Sequence, residues 1–235
     1  MTPERKNRWD GTEREVAISV GQVTLEGTLG LPRNAAGVVL FAHGSGSSRF
    51  SPRNRYVADV LRSHGIATVL FDLLTREEES VDQRSGQLRF DIELLARRLG
   101  GATRHVLDIP ELQGLALGYF GASTGAGAAL VAAAELQDAV SAVVSRGGRP
   151  DLARQALALV RAATLLIVGG NDEPVIEMNR LALAQLGACE KQLVIVPGAT
   201  HLFEEPGTLE EVSRLAADWF SRYLGSRNQA HARRS

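Results

Sequence analysis

From Val38 onward the chain is built of short, unbroken apolar runs separated by helical segments, and this alternation constrains the fold more than any other feature. The runs are Val38–Ala42, Ala67–Phe71, Leu115–Phe120, Val140–Val144, Leu165–Val168 and Leu193–Val196. A strand with one face in water alternates apolar and polar side chains, whereas an unbroken apolar run belongs to a strand covered on both faces. The segments between them, about Arg53–Ser63, Leu88–Val106, Gly125–Leu136, Val175–Leu186 and Leu209–Tyr223, read as the covering helices. Glu15–Leu31 is different in kind. Val16, Ile18 and Val20 alternate with other residues, Gly21-Gln22 supplies a Gly-X turn, and Val23 and Leu25 resume the alternation. That pattern predicts an antiparallel hairpin. The expected architecture is an α/β fold: an eight-stranded, mostly parallel sheet with an N-terminal antiparallel hairpin and helices on both faces.

Length and composition fit one domain. A chain of 235 residues that is 44% apolar suits a single α/β unit with one substantial core. No linker, charge block or repeat divides it. The expected organisation is a loose polar segment at 1–12, the domain at 13–224, and a loose tail at 225–235 rich in Ser, Asn, Gln and Arg. A formal net charge of -1 gives no bulk electrostatic case for nucleic acid or an anionic membrane. No apolar run approaches the roughly 20 residues that span a bilayer, and Met1 to Thr12 lacks the apolar stretch of a secretory signal. The expectation is a cytoplasmic protein that meets a small molecule, with its oligomeric state left open, a homodimer included. Cys189 is the only cysteine, so an intrachain disulfide or a cysteine metal cluster is excluded. It reads as a small apolar residue. No metal or cofactor is expected.

In such sheets chemistry collects at the C-terminal ends of the strands. Leu115–Phe120 runs directly into Gly121-Ala122-Ser123-Thr124-Gly125, and a helix follows at once. This is G-x-S-x-G in a strand–turn–helix setting, where a sharp, strained turn presents a serine hydroxyl above the sheet. Glycines two residues to either side remove Cβ atoms that would collide there. The same letters also satisfy the G-x-x-x-G-x-G pattern of short-chain dehydrogenases, at Gly121, Gly125 and Gly127. That pattern belongs on the first strand of its domain, and those enzymes use a Tyr-x-x-x-Lys pair. Here several strands come first, and neither Lys6 nor Lys191 has a tyrosine four residues earlier. The serine reading is preferred.

A nucleophilic serine of this kind needs an acid and a histidine, in that chain order. Leu165–Val168 leads through Gly169-Gly170-Asn171 to Asp172, and Leu193–Val196 leads through Pro197-Gly198-Ala199-Thr200 to His201. Three strand ends thus present Ser123, Asp172 and His201 in the required order. Glu173 and Asp151 are competing acids, and Asp172 is preferred. A developing oxyanion needs two backbone N–H donors: Thr124, after the serine, and one from the loop His43-Gly44-Ser45-Gly46-Ser47-Ser48, where Ser45 is the choice. His43 is read as tying that loop together. Arg146, directly after Val140–Val144, and Arg49, after the glycine-rich loop, are candidate substrate-binding residues for an anionic group. The competing reading pairs Arg146 with Asp151 or Glu173.

On these residues the chain resembles the α/β-hydrolase superfamily, and within it the small dienelactone-hydrolase-like enzymes. The stretches that carry the resemblance are FAHGSGSSRFSPRNR, FDLLTREEE, GYFGASTGAGAAL, VVSRGGRPDLA, LLIVGGNDEPV and PGATHLFEEPGTLEEV, nearly all of Val16 to Tyr223. The resemblance implies hydrolysis of an ester, thioester, lactone or amide without a cofactor, through Ser123, His201 and Asp172. An acyltransferase using the same triad, or a catalytically silent binding module on the same fold, are the alternatives. Many relatives insert a lid between the strands that end at Val144 and begin at Leu165; here only about 20 residues separate them, so no sizeable cap domain is expected. One position departs from the pattern. Dienelactone hydrolases proper carry cysteine where this chain has Ser123, which argues against dienelactone as the substrate. Relatives are sometimes fused to a phosphoribosyltransferase-like domain, and no such segment is present in this sequence.

Overall fold

The computed structural model describes residues 9–188 and 190–225. Residues 1–8 and 226–235, the greater part of the two segments expected to be loose, and Cys189 lie outside the described residues. The strands are β1 (Gly11–Val20), β2 (Val23–Pro32), β3 (Gly37–Ala42), β4 (Ile66–Phe71), β5 (Ala116–Ala122), β6 (Val140–Arg146), β7 (Ala163–Gly169) and β8 (Lys191–Val196). The helices are α1 (Pro52–Ser63), α2 (Arg76–Ser85), α3 (Ile92–Leu107), α4 (Thr124–Leu136), α5 (Glu173–Gln185) and α6 (Thr208–Leu224). One eight-stranded sheet results, in the order β1-β2-β4-β3-β5-β6-β7-β8. β1 and β2 form the expected antiparallel hairpin, β2 joins β4 antiparallel, and every other pair is parallel.

The sheet is covered on both sides. Side chains alternate along each strand, so Leu117 and Tyr119 of β5 pack with Leu99 of α3 and Ala133 of α4, while Phe120 packs with the α1 and α6 side among Leu61 and Phe220. The central strands are buried throughout, as their continuous apolar runs require.

Three boundaries differ from the sequence reading, each for a local reason. Packing against the sheet extends ahead of residue 13: Trp9 is buried beneath the Arg62 guanidinium, 4.9 Å from its ring, and β1 starts at Gly11. Arg62 also pairs with Glu13 and Asp59, each at 2.6 Å, which draws this end onto the domain. The single helix expected over Leu88–Val106 is a 3₁₀ turn, Leu88–Phe90, followed by α3. Asp91 divides them by accepting the Leu94 N–H at 2.9 Å as an N-cap. α2 was not anticipated, because Val81 is its only aliphatic residue and no periodicity marks it. Its signal is the capping box: the Thr75 hydroxyl accepts from Glu78 N–H at 3.2 Å, and the Glu78 carboxylate accepts from Thr75 N–H at 2.9 Å. Between β6 and β7 the chain forms only 3₁₀ turns, Pro150–Leu159, packed on α4, so no cap domain stands there.

One buried polar contact in this core has a directional consequence. The Thr103 hydroxyl donates to the Leu99 carbonyl at 2.9 Å and lies 2.5 Å from the Tyr119 hydroxyl. With its one proton committed, Thr103 accepts from Tyr119, and burial pushes the phenol pKa up. Tyr119→Phe leaves Thr103 satisfied and is expected to cost about 1 kcal/mol, whereas Thr103→Val strands a buried phenol and should cost about 1–3 kcal/mol. Urea unfolding midpoints of the two variants check the order.

Candidate active site

Ser123 sits between β5 and α4 with φ 51° and ψ -122°, a conformation that side-chain-bearing residues rarely adopt. Its backbone is held from both sides: Ser123 N–H donates to the Arg146 carbonyl at 3.2 Å, and its carbonyl accepts from Ala126 N–H at 3.1 Å and Arg149 N–H at 3.0 Å. The flanking glycines are sterically required. A methyl on Gly121 would lie 2.5 Å from Ala126 Cα, and one on Gly125 only 2.2 Å from the Ala42 carbonyl oxygen. The serine is therefore carried by backbone geometry that the neighbouring strand and helix over-determine.

Asp172 precedes α5, its N–H donating to the Gly169 carbonyl at 3.1 Å. The ends of β7 and β8 are laced together by Gly170 N–H to Val196 O at 2.8 Å, Asn171 N–H to Ala199 O at 2.9 Å, and Asn171 Nδ2 to Gly198 O at 3.0 Å. This lacing brings His201 Nδ1 to 2.6 Å from Asp172 Oδ2. A carboxylate only accepts, so Nδ1 carries the proton and Nε2 of the neutral ring is left with its lone pair. Asp172 is nearly enclosed and His201 half open, at 13% and 37% side-chain exposure. The His201 loop is anchored by buried Phe203 and by the Glu205 carboxylate, which accepts from the Thr200 hydroxyl at 2.6 Å.

Gly147, which the sequence reading passed over, joins the two halves. It follows the Arg146 carbonyl that holds Ser123, and a methyl on it would lie 3.0 Å from His201 O and 3.5 Å from His201 Nδ1. Its φ of 50° adds a conformational reason for glycine. The structure thus gathers Ser123, Asp172 and His201 at adjacent ends of β5, β6, β7 and β8.

The glycine-rich loop is seated on the elbow, where a methyl on Gly44 would touch the Ala122 carbonyl and Ser123 Cβ, each at 3.1 Å. The N–H of Ser45, the expected second oxyanion donor, is engaged, donating to Thr124 Oγ1 at 2.9 Å. His43 ties the loop as anticipated: Nε2 accepts from Leu73 N–H at 3.1 Å, which leaves Nδ1–H to donate to Gly44 O at 3.0 Å. Beyond the loop a cavity of about 570 Å³ opens between Ser47, Phe50, Leu74, Arg76 and Glu79.

The two arginines part company. Arg49 is not available to a substrate. Its guanidinium pairs with Asp72 and, at 2.7 Å, with Glu26, its backbone N–H donates to Asp72 at 2.7 Å, and it stacks 4.2 Å from Phe50. It is a clamp between β2, β4 and the loop. Arg146 is 6% exposed and makes no ion pair within 4.0 Å among the described residues; Asp151, its expected partner, pairs with Arg149 at 2.7 Å. Arg146 Nη2 reaches Asn54 Oδ1 at a long 3.4 Å, and Nε has no partner. Burial, with the charge of Arg53 nearby, pulls its pKa down to about 10.

A mostly parallel eight-stranded sheet with a strained serine turn at the end of β5 defines the α/β-hydrolase class. Comparison with known proteins narrows it: residues 25–226 match the model of the dienelactone hydrolase family. A dienelactone hydrolase from Anabaena variabilis superposes with a TM-score of 0.89 at 62% identity, over 92% of this chain and 99% of that one. Est1E from Butyrivibrio proteoclasticus shares the fold at 15% identity, with a TM-score of 0.74 over 89% of this chain and 98% of its own. A Mycobacterium tuberculosis H37Rv protein, provisionally named a phosphoribosyl transferase, is 58% identical over 213 residues, 90% of this chain and 47% of its own length. The chain therefore spans about half the length of the curated relatives it matches. It belongs to the dienelactone hydrolase family.

The partly buried His43 gives this site a measurable pH response. Burial lowers its pKa below the ordinary 6.5, against the opposing pull of the Gly44 carbonyl and of Asp72 and Glu79. A group whose folded pKa is depressed stabilises the fold above its unfolded value and loses that contribution as pH falls below it. Stability should therefore decline as pH drops below about 6.5. His43→Gln does not titrate and should show a shallower decline, read from urea midpoints between pH 7.5 and 5.

Proposed function

We propose that this chain is a serine hydrolase that cleaves an ester, thioester or lactone of a small molecule. The observation that carries the reading is the 2.6 Å contact between His201 Nδ1 and Asp172 Oδ2, on the same edge of the sheet as a serine held in a strained turn. Asp172 fixes the tautomer in which His201 Nε2 is a base and stabilises the imidazolium that forms. Ser123 gives its proton to Nε2 as its oxygen bonds to the substrate carbonyl carbon. Backbone N–H groups of Thr124 and Ser45 face the resulting oxyanion; Thr124, as the first residue of α4, has no intrahelical acceptor for its N–H. Collapse expels the leaving alcohol or thiol, protonated by His201, and water resolves the acyl-enzyme by the same steps in reverse. No metal or organic cofactor takes part in this scheme. The phosphoribosyl transferase name is said of proteins about twice as long, and its chemistry is assigned here to no residue of this chain.

A fluorophosphonate probe should label Ser123, and Ser123→Ala should abolish both labelling and ester turnover. His201→Ala should lose on the order of 10³-fold or more, because triad members act as a unit. Normal turnover by a folded Ser123→Ala variant would sink the proposal. Water rather than an added alcohol as the acceptor distinguishes a hydrolase from an acyltransferase.

Arg146 supports a finer reading, in which the substrate carries an anionic group. A buried guanidinium without a carboxylate is costly to keep, and an arginine fork suits a carboxylate or phosphate. Losing a charge-assisted hydrogen bond costs roughly 1.5–3 kcal/mol. Arg146→Ala should then lower kcat/KM about 10- to 150-fold for an anionic ester and leave a neutral ester of similar size nearly unchanged. Equal losses on both would make Arg146 structural.

A further inference from the structure

The oxyanion site of the proposed hydrolase has a third polar group in it. Ser45 N–H, one of the two amides assigned to the developing charge, donates to Thr124 Oγ1 at 2.9 Å. Thr124 is 4% exposed, and its hydroxyl and its own N–H belong to one residue at the head of α4. The loop that carries Ser45 is held at its start. Gly44 rests on Ala122 and Ser123, and His43 is bonded on both sides, to Gly44 and Leu73. The threonine oxygen thus accepts from the Ser45 amide in the free protein, as a carbonyl oxygen would in the complex.

The exchange that follows is set by the hydroxyl's inventory. A threonine hydroxyl has one proton and two acceptor positions. While it accepts from Ser45, its proton is not required by that bond. When a substrate oxygen takes the Ser45 amide, the threonine loses its donor and faces an atom on which negative charge is growing. We infer that the Thr124 hydroxyl holds the Ser45 amide in the free enzyme and, as the tetrahedral intermediate forms, releases it and donates its own proton to the oxyanion as a third hydrogen bond. No covalent bond is made or broken by Thr124, and its proton stays on its oxygen. Because a hydroxyl binds an oxyanion more strongly than a neutral carbonyl, the effect falls on the transition state and hence on kcat. This inference rests on the serine-hydrolase reading and extends it to a side chain.

The test compares Thr124→Val, which keeps the shape and removes the hydroxyl, with Thr124→Ser, which keeps the hydroxyl. Thr124→Val should lower kcat for a simple aryl ester by about 10²-fold, the usual cost of removing one oxyanion donor, with KM changed by less than about threefold. Thr124→Ser should recover most of that loss. An aryl trifluoromethyl ketone, whose adduct with Ser123 carries an oxyanion, should bind Thr124→Val more weakly in proportion to the fall in kcat. A rise in kcat on Thr124→Val would show the hydroxyl to be only an obstruction and would overturn the inference. Equal losses in the Val and Ser variants, or a kcat loss with unchanged ketone affinity, would assign Thr124 to loop packing and overturn it too. Fluorophosphonate labelling of the same variants keeps the two levels apart: absence of label at Ser123 in the unaltered chain defeats the serine reading itself, whereas labelled Ser123 with an indifferent Thr124→Val defeats only this one.

Discussion

The first turn of α4 lies so close to the end of β3 that a methyl on Gly125 would sit 2.2 Å from the Ala42 carbonyl oxygen and 2.5 Å from that of His43. This approach is the constraint from which the site follows. It brings the glycine-rich loop after β3 against the serine turn after β5, so that Gly44 touches Ser123 and Ser45 reaches Thr124. Any larger residue at Gly125 would part the two central strands' ends and separate Ser123 from the glycine-rich loop. The small residues that continue α4, Ala126, Gly127, Ala128 and Ala129, extend the same close packing down the helix and bury it almost completely.

The other half of the site depends on a second close approach, at Gly147. β6 supplies the carbonyl that holds Ser123 and the glycine that lets His201 lie down beside it. β7 and β8 are then tied to each other by backbone hydrogen bonds through Gly170 and Asn171, which set the Asp172–His201 distance. Backbone contacts do most of the positioning here. That suits chemistry that requires its groups to be in place before the substrate arrives, since preorganised donors need no rearrangement as charge develops.

Charge is handled differently on the two sides of the loop. Arg49 sits among Asp72, Glu26 and Glu15 and is spent on holding β2, β4 and the loop together. Arg146 lies near Asn54, Arg53 and Phe203, and Arg53 already pairs with Glu204 at 2.8 Å. Among the described residues no carboxylate lies within 4.0 Å of that guanidinium, which is 6% exposed. The same residue type thus serves as a fastener in one place and as an unmatched charge in the other.

The sequence specifies the sheet, the hairpin, the serine turn and the order of Ser123, Asp172 and His201, because each of these is written in local pattern: unbroken apolar runs, alternation, and glycines at fixed offsets. It also carried the α2 capping box at Thr75 and Glu78, a signal four residues long and easily passed over where no apolar periodicity supports it. Tertiary structure alone decided the rest. That Trp9 belongs to the domain depends on Arg62, far along the chain. The fates of Arg49 and Arg146 depended on which carboxylates the fold brought within reach, and Asp72, just after β4, and Glu26, in β2, each lie 23 residues from the loop arginine they hold. The Ser45–Thr124 bond joins residues 79 apart. Local pattern specifies which backbone conformations are available; the partner of a charge or a lone N–H is fixed only when distant strands are laid side by side.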